Sequence, residues 1–352
     1  MSLTQPELEV PPPRDPSGQI AGQDAGPAQP RLGYHLFFGS DGLRAVWGIV
    51  LFLLFRELLS YCVFPLLHLL PAGPATSDGL IAPRWLLFSE GGGLLCLLGA
   101  TWLMARIELR TVAAYGFGPQ RQLRNFGVGI LCGIGLLSVL VAVLRLLGLL
   151  EFDSRVLFGA AVFRYGLLWG AGFLLVAAVE ETYLRGYLQF TLTRGLGEIY
   201  RWLLGTAHAD AFGFWTAAVI LSLVFGIGHG SNPGESPLGM TAAGLVGLIF
   251  CLSLWRTGSL WWAIGFHAAW DWAQSFLYGV ADSGLKVQGH LFATHPSGLP
   301  CLSGGATGPE GSIFMMPVVC LAVAAVILLL PRTHAGYASA GPTQAAAALD
   351  LA

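Results

Sequence analysis

Three short motifs carry residue types that can do acid–base chemistry. The first is Glu180-Glu181-Thr182-Tyr183-Leu184-Arg185, the second Phe225-Gly226-Ile227-Gly228-His229, and the third His267-Ala268-Ala269-Trp270-Asp271. Each lies within or at the end of an apolar run, where a charged side chain costs at least about 2.5–3.5 kcal/mol on insertion scales. Spacing separates their roles. Glu181 and Arg185 are four apart, so on a helix they share a face and can pair. Glu180 is turned about 100° from Glu181. It lacks that partner and is the carboxylate left for chemistry. His267 and Asp271 are also four apart and face the same way. A carboxylate and an imidazole can hold and deprotonate a water, and a second imidazole can stabilise an oxyanion. The bland reading of Glu181 and Arg185 is an ion pair that fixes helix packing, and His229 taken alone reads as an interfacial residue.

The elements that must position these residues are membrane helices. The chain of 352 residues is 55% hydrophobic and 11% charged, against about 25% charged in soluble domains. Its net charge of -2 argues against nucleic acid as a partner. Eight apolar stretches approach the roughly 20 residues needed to cross a bilayer: 43–67, 84–105, 126–150, 165–190, 213–229, 238–256, 259–280 and 312–331. Backbone groups in lipid must be satisfied internally, so the expected fold is all-α, a polytopic transmembrane bundle of about eight helices. Pro233 and Pro237 make the boundary between the fifth and sixth stretches the least defined.

Residues 1–33 read as a disordered tail, 34–332 as the bundle and 333–352 as a flexible tail. Residues 191–212 read as an interfacial connection and 282–311 as a long loop. No internal repeat is evident. Glycine pairs such as Gly129 and Gly133 let membrane helices approach closely. The six cysteines read as small packing residues, since no C-x-x-C pair occurs. Arg56 and Glu57 are adjacent, so each is expected to find a partner on another helix. Glu90 and Arg145 are read as snorkelling or paired. His208, His290 and His295 fall in expected loops, and His35 and His68 near membrane boundaries. Trp261 and Trp262 read as part of an interfacial belt. Arg31, Arg44, Arg106, Arg110, Arg121, Arg124, Arg194, Arg201, Arg256 and Arg332 collect on one side, against Arg84, Arg155, Arg164 and Lys286 on the other. By the positive-inside rule both termini are then cytoplasmic, the expected setting being a bacterial inner membrane.

Glu-Glu-x-x-x-Arg, Phe-x-x-x-His and His-x-x-x-Asp, in that order on successive helices, resemble the CPBP family of intramembrane proteases, relatives of the type II CAAX prenyl endopeptidase. The likeness covers about residues 165–280. The loop from Ser303 to Ser312 also looks like bacterial members of this group. The resemblance implies an intramembrane endopeptidase acting on membrane-tethered peptide or protein substrates. They would be of the CAAX type, with a prenylated partner, or of the bacteriocin-processing or immunity type. By similarity, Glu180 and His229 hold and deprotonate the attacking water, and His267 and Asp271 stabilise the oxyanion. Glu181 and Arg185 support the first motif, and Phe225 belongs to the second. Some members carry Asn where Asp271 stands. An aspartate donates a hydrogen bond only when protonated, so Asp271 could instead orient His267. No cofactor is favoured. Zinc is the alternative, with Glu180, His229 and His267 as ligands, in a family long labelled metal-dependent. Beyond membrane lipid and the substrate, no partner is implied. The competing functions are a non-catalytic membrane scaffold and, ranked below it, a proton-coupled transporter.

Overall fold

The computed structural model describes residues 36–39, 42–67, 80–118 and 121–332. The expected tails, with Arg31, His35 and His68, lie outside the described residues. All eight apolar stretches are helical. They form α1 (Ala45–Leu67), α2 (Pro83–Ile107), α3 (Gln122–Leu146), α4 (Ala160–Glu181), α6 (Ala209–His229), α7 (Pro237–Thr257), α8 (Trp261–Asp271) and α10 (Met315–Leu329). Six helical runs among the described residues are long and apolar enough to cross a bilayer on their own. The protein is an integral, multi-pass membrane protein. Prolines mark boundaries here. Pro237 sits at the start of α7, whose first turn is capped by Ser236 Oγ accepting from Gly239 N at 3.1 Å, as Pro at a first helical position permits.

The expected interfacial connection at 191–212 is largely helical, with a short turn at 205–208. Helix α4 runs through a π-helical segment, Thr182–Leu188, into α5 (Gln189–Leu204). The continuous helix has 45 residues and would reach about 68 Å at about 1.5 Å per residue, twice the bilayer core. Its second half changes character. Helix α5 buries Gln189, Phe190, Thr191, Thr193 and Gly197 and packs against α6. A second π-helical segment, Trp272–Leu277, follows α8 directly. Its wide turn is closed by Tyr278 N donating to Ala273 O at 2.9 Å. The two π-helical segments thus begin directly after Glu181 and after Asp271. Such bulges are frequent at functional sites.

Helix α8 lies at the centre, against α3, α4 and α7. A Cβ at Gly129 would collide with Trp262 O, and one at Gly133 with Phe266 O. The two glycines therefore let α3 lie directly on the α8 backbone, as the small-residue spacing predicts. This close approach corrects the reading of Trp262. It is fully buried against Phe250 and Phe266 rather than interfacial. The cysteines are free, but Cys62, Cys301 and Cys320 are exposed, so the packing reading holds for buried Cys96 and Cys251.

The segment after Leu277 is structured. Strand β4 (Phe292–Pro296) pairs antiparallel with β3 (Leu150–Arg155), which follows α3. Strands β1 (Phe38–Gly39) and β2 (Gly42–Leu43) pair antiparallel in a separate small sheet. The short α9 (Pro300–Ser303) and the turn at Pro309–Gly311 complete a roof over one end of the bundle. Gly284 N donates to Thr307 O at 2.8 Å, and Thr307 Oγ1 to Gly234 O at 3.0 Å. The roof is thereby tied to the loop between α6 and α7.

Replacing Gly133 by Val should force α3 off α8 and lower stability by about 1–3 kcal/mol, as overpacked cores do. Gly135, on the same helix with open space around it, should accept Ala without loss. Thermal unfolding of both variants in detergent measures the contrast.

Candidate functional site

The seven motif residues converge. Glu181 and Arg185 pair at 3.1 Å, and both are fully buried. Arg185 is held between aromatic rings, its guanidinium carbon 4.3 Å from the Phe225 centroid and 5.5 Å from that of Phe250. Stacking on ring faces suits a buried guanidinium, and Gly247 leaves the space it fills. Phe225 thus links the second motif to the first. It also packs edge-on to His229 at 4.6 Å and to His267 at 6.2 Å.

Glu181 does more than hold its own motif. Its Oε1 also lies 3.0 Å from His267 Nδ1. A carboxylate facing Nδ1 requires the proton there, so Nδ1–H donates and Nε2 turns to the opposite side. There Nε2 stands 3.5 Å from Asp271 Oδ2 and 3.7 Å from Glu180 Oε2. The sequence left open whether Asp271 orients His267. The group that fixes the ring through Nδ1 is Glu181, while Asp271 flanks the other nitrogen. Phe250 stacks on the His267 ring at 5.6 Å.

Glu180 is turned away from Arg185, as the helical spacing requires. Its side chain is 36% exposed and Oε2 has no hydrogen-bond partner. His229 is the last residue of α6. Its Nδ1 lies 2.7 Å from Phe225 O, which can only accept, so Nδ1–H donates and Nε2 is left as an acceptor. Although His229 ends its helix, it lines one cavity of about 290 Å³ with Glu180, His267 and Asp271. The cavity continues along α4, past Phe173 and Trp169, so residues at different depths face the same space.

Three further carboxylates line that cavity: Glu90, Asp282 and Glu310. Glu90 is on α2 and belongs to no motif. Its sequence signal was a lone acid in an apolar run, and periodicity could not show which way it faces. Asp282 and Glu310 come from the roof. Asp282 accepts from Ser275 Oγ at 3.0 Å. Glu310 accepts from Ser283 N at 2.5 Å and from Gln274 Nε2. Burial pushes the Asp282 carboxyl up from its ordinary range. Burial, and then the neighbouring Asp282 charge, push Glu310 up to about 8. No spacing in the sequence brings Gln274, Asp282 and Glu310 together.

Other expected pairings fall elsewhere. Arg145 pairs with Glu151 at 3.1 Å on the surface. Among the described residues Arg56 reaches no charged partner on another helix. It bonds its neighbour Glu57 at 2.6 Å and lies over the Tyr183 ring at 5.2 Å. A long guanidinium can fold back along its own helix, which backbone spacing alone does not reveal. His295 is in β4 and pairs with Asp153, and His290 Nδ1 lies 3.0 Å from Val287 O. Glu108, on the far side of the bundle, accepts from Tyr187 at 2.8 Å and Tyr115 at 3.2 Å, with Arg110 and Arg194 near it. Among the described residues no three His, Cys, Asp or Glu side chains converge as metal ligands.

A protein-family model described as Type II CAAX prenyl endopeptidase Rce1-like matches residues 163–273. This agrees with the CPBP resemblance, and the matched segment holds all seven motif residues. No curated protein and no solved structure shows a significant match.

Two stability effects follow. Arg185→Met strips the buried Glu181 of its cation and should cost about 3–5 kcal/mol, whereas the Glu181→Gln/Arg185→Met pair should recover most of it. Unfolding in detergent, with both single variants and the double, reads the difference. The raised Asp282 and Glu310 groups keep protons in the folded state that the unfolded chain releases. Their stabilising contribution is therefore full below the ordinary carboxylate range and fades as pH rises toward about 8. Glu310→Gln should flatten the upper part of that slope in melts recorded from pH 5 to 9.

Proposed function

With residues 163–273 matching the Rce1-like CAAX endopeptidase family, we propose that this protein is an intramembrane endopeptidase. It hydrolyses a peptide bond of a membrane-tethered substrate with a water activated by Glu180 and His229. The observation that carries the proposal is the sorting of two adjacent carboxylates. Glu181 is fully buried and shares its Oε1 between Arg185 and His267, while Glu180, 36% exposed, lines the cavity and has no arginine partner.

In this reading the water lies between the Glu180 carboxylate and His229 Nε2. Its oxygen attacks the scissile carbonyl carbon as Glu180 takes the proton. The oxyanion that forms is met by the Nε2 side of His267, a donor when that ring is doubly protonated, with Nδ1–H fixed on Glu181. Asp271 sits beside the same nitrogen and assists as a donor only in its protonated form. Collapse of the intermediate breaks the C–N bond, and Glu180 returns its proton to the leaving amine. The aromatic and aliphatic walls, with Trp169, Phe173 and Phe250 among them, exclude bulk water.

The mechanism passes no step through a metal. Zinc would require Glu180, His229 and His267 to converge on one ion. Among the described residues these donors do not gather in ligand geometry. The family description supports a CAAX-type substrate. The clustering of arginines at one end of the bundle supports cytoplasmic termini, in a bacterial inner membrane. At that end Arg124 and Arg256 hold the last carbonyls of α10, and Arg194 bonds Leu43 O.

Cleavage of a membrane-peptide library by the purified protein should fall by about 10²–10⁴-fold in Glu180→Gln, the range ascribed to a positioned base, with the fold intact. It should resist chelator. Chelator-sensitive cleavage restored by zinc would replace the water-activation scheme. Full activity in Glu180→Gln would remove it.

A further inference from the structure

Five carboxylates line the cavity: Glu90, Glu180, Asp271, Asp282 and Glu310. Four of them have a task. Asp271 flanks His267 at 3.5 Å. Asp282 accepts from Ser275, and Glu310 from Ser283 and Gln274. Glu180 serves the attacking water in the proposed hydrolysis. Glu90 is left over. It accepts from its neighbour Ser89 Oγ at 3.4 Å, and no Lys or Arg lines the cavity to pair with it. It lies within the α2 span, about 10 Å beyond Pro83 at about 1.5 Å per residue. An acid at such a depth is costly to keep and marks a functional position.

Helix α2 holds Glu90 beside Glu180. A Cβ at Gly91 would touch Leu175 at 3.9 Å and one at Gly93 would touch Val179 at 4.0 Å, so α2 and α4 are in contact just past Glu90. The two carboxylates are near enough for their charges to interact. His229 and His267 come from α6 and α8. Glu180 is thus approached by imidazoles from two helices and by an acid from a third.

We propose that Glu90 binds the amine that hydrolysis releases, pairing with the new amino terminus of the departing peptide as its ammonium. This rests on the hydrolysis proposed above and extends it. When the C–N bond breaks, Glu180 returns its proton, and a neutral amine stands beside a new carboxylic acid. A terminal carboxyl ionises near about pH 3.5, whereas an amino terminus keeps its proton to about pH 8. The acid therefore gives up a proton and the amine gains one, with none gained or lost by the protein. Between aromatic and aliphatic walls an ammonium needs a partner of opposite charge. The Nδ1 atoms of His229 and His267 are engaged with Phe225 O and Glu181, and an imidazolium would repel it. Glu90 is the carboxylate with no other duty. The same charge repels the new carboxylate, so the two product ends are kept apart.

The test measures binding to the full-length protein in detergent, using the tripeptide amide Leu-Leu-Phe with a free or an acetylated amino terminus. Wild type should bind the free amine at least about tenfold more tightly, the scale of one charge-assisted hydrogen bond. Glu90→Gln should lose that preference and Glu90→Asp keep part of it, with thermal melts showing that both variants are folded. A substrate lysine carries the same ammonium, so acetyl-Lys-Leu-Phe amide is the third probe and should bind no better than the acetylated Leu peptide. In cleavage of the membrane-peptide library, Glu90→Gln should lower kcat about tenfold with KM unchanged, through loss of the same bond. Equal binding of the free and acetylated forms, no binding of either, a preference that survives Glu90→Gln, or tight binding of the acetylated Lys peptide would overturn the proposal. An amine preference that depends on Glu90, in a protein whose Glu180→Gln variant cleaves like wild type, would keep the amine site and remove the hydrolysis scheme. Cleavage that depends on Glu180, with the preference intact in Glu90→Gln, would do the reverse.

Discussion

One carboxylate oxygen organises the site. Glu181 Oε1 accepts from Arg185 at 3.1 Å and from His267 at 3.0 Å, in a position with no access to solvent. A buried charge of this kind is strongly destabilising if left alone, so the surrounding structure is committed to it. Arg185 must be present, Phe225 and Phe250 must flank it, and Gly247 must leave it room. His267 must present Nδ1 and thereby turn Nε2 toward Glu180. The neighbouring Glu180 is kept free because Glu181 satisfies the cation. Two adjacent acids on one helix thus acquire opposite duties from a rotation of about 100°.

The helices that deliver these groups are held close by what they lack. Gly129 and Gly133 let α3 lie on the backbone of α8. That contact fixes the depth of His267 and Asp271, and the π-helical segments after Glu181 and Asp271 redirect each helix just past its functional residues. The roof contributes a second constraint from the opposite side. Asp282 and Glu310, tied to Ser275, Ser283 and Gln274, close the cavity with groups that ionise poorly where they are buried. The site is therefore walled by helices laterally and by an acidic, hydrogen-bonded loop at one end.

Much of this was legible in the residues. Apolar length determined the helical class, because a backbone in lipid has few ways to satisfy its hydrogen bonds. Four-residue spacing determined the Glu181–Arg185 and His267–Asp271 pairings, and single-residue rotation determined the separate status of Glu180, because both follow from helix geometry within one element. The small residues of α3 announced a close contact. What only the tertiary structure decided involves groups far apart in the chain or side chains with freedom to choose. Glu181, not Asp271, fixes His267, which depends on how α4 meets α8. Glu90, Asp282 and Glu310 reach the cavity through packing that no local period encodes. Trp262 is core because α3 covers it, and Arg56 folds onto Glu57 because its long side chain can bend along the helix. Local geometry is written in spacing, whereas the meeting of separate elements is set by the packing of the whole chain.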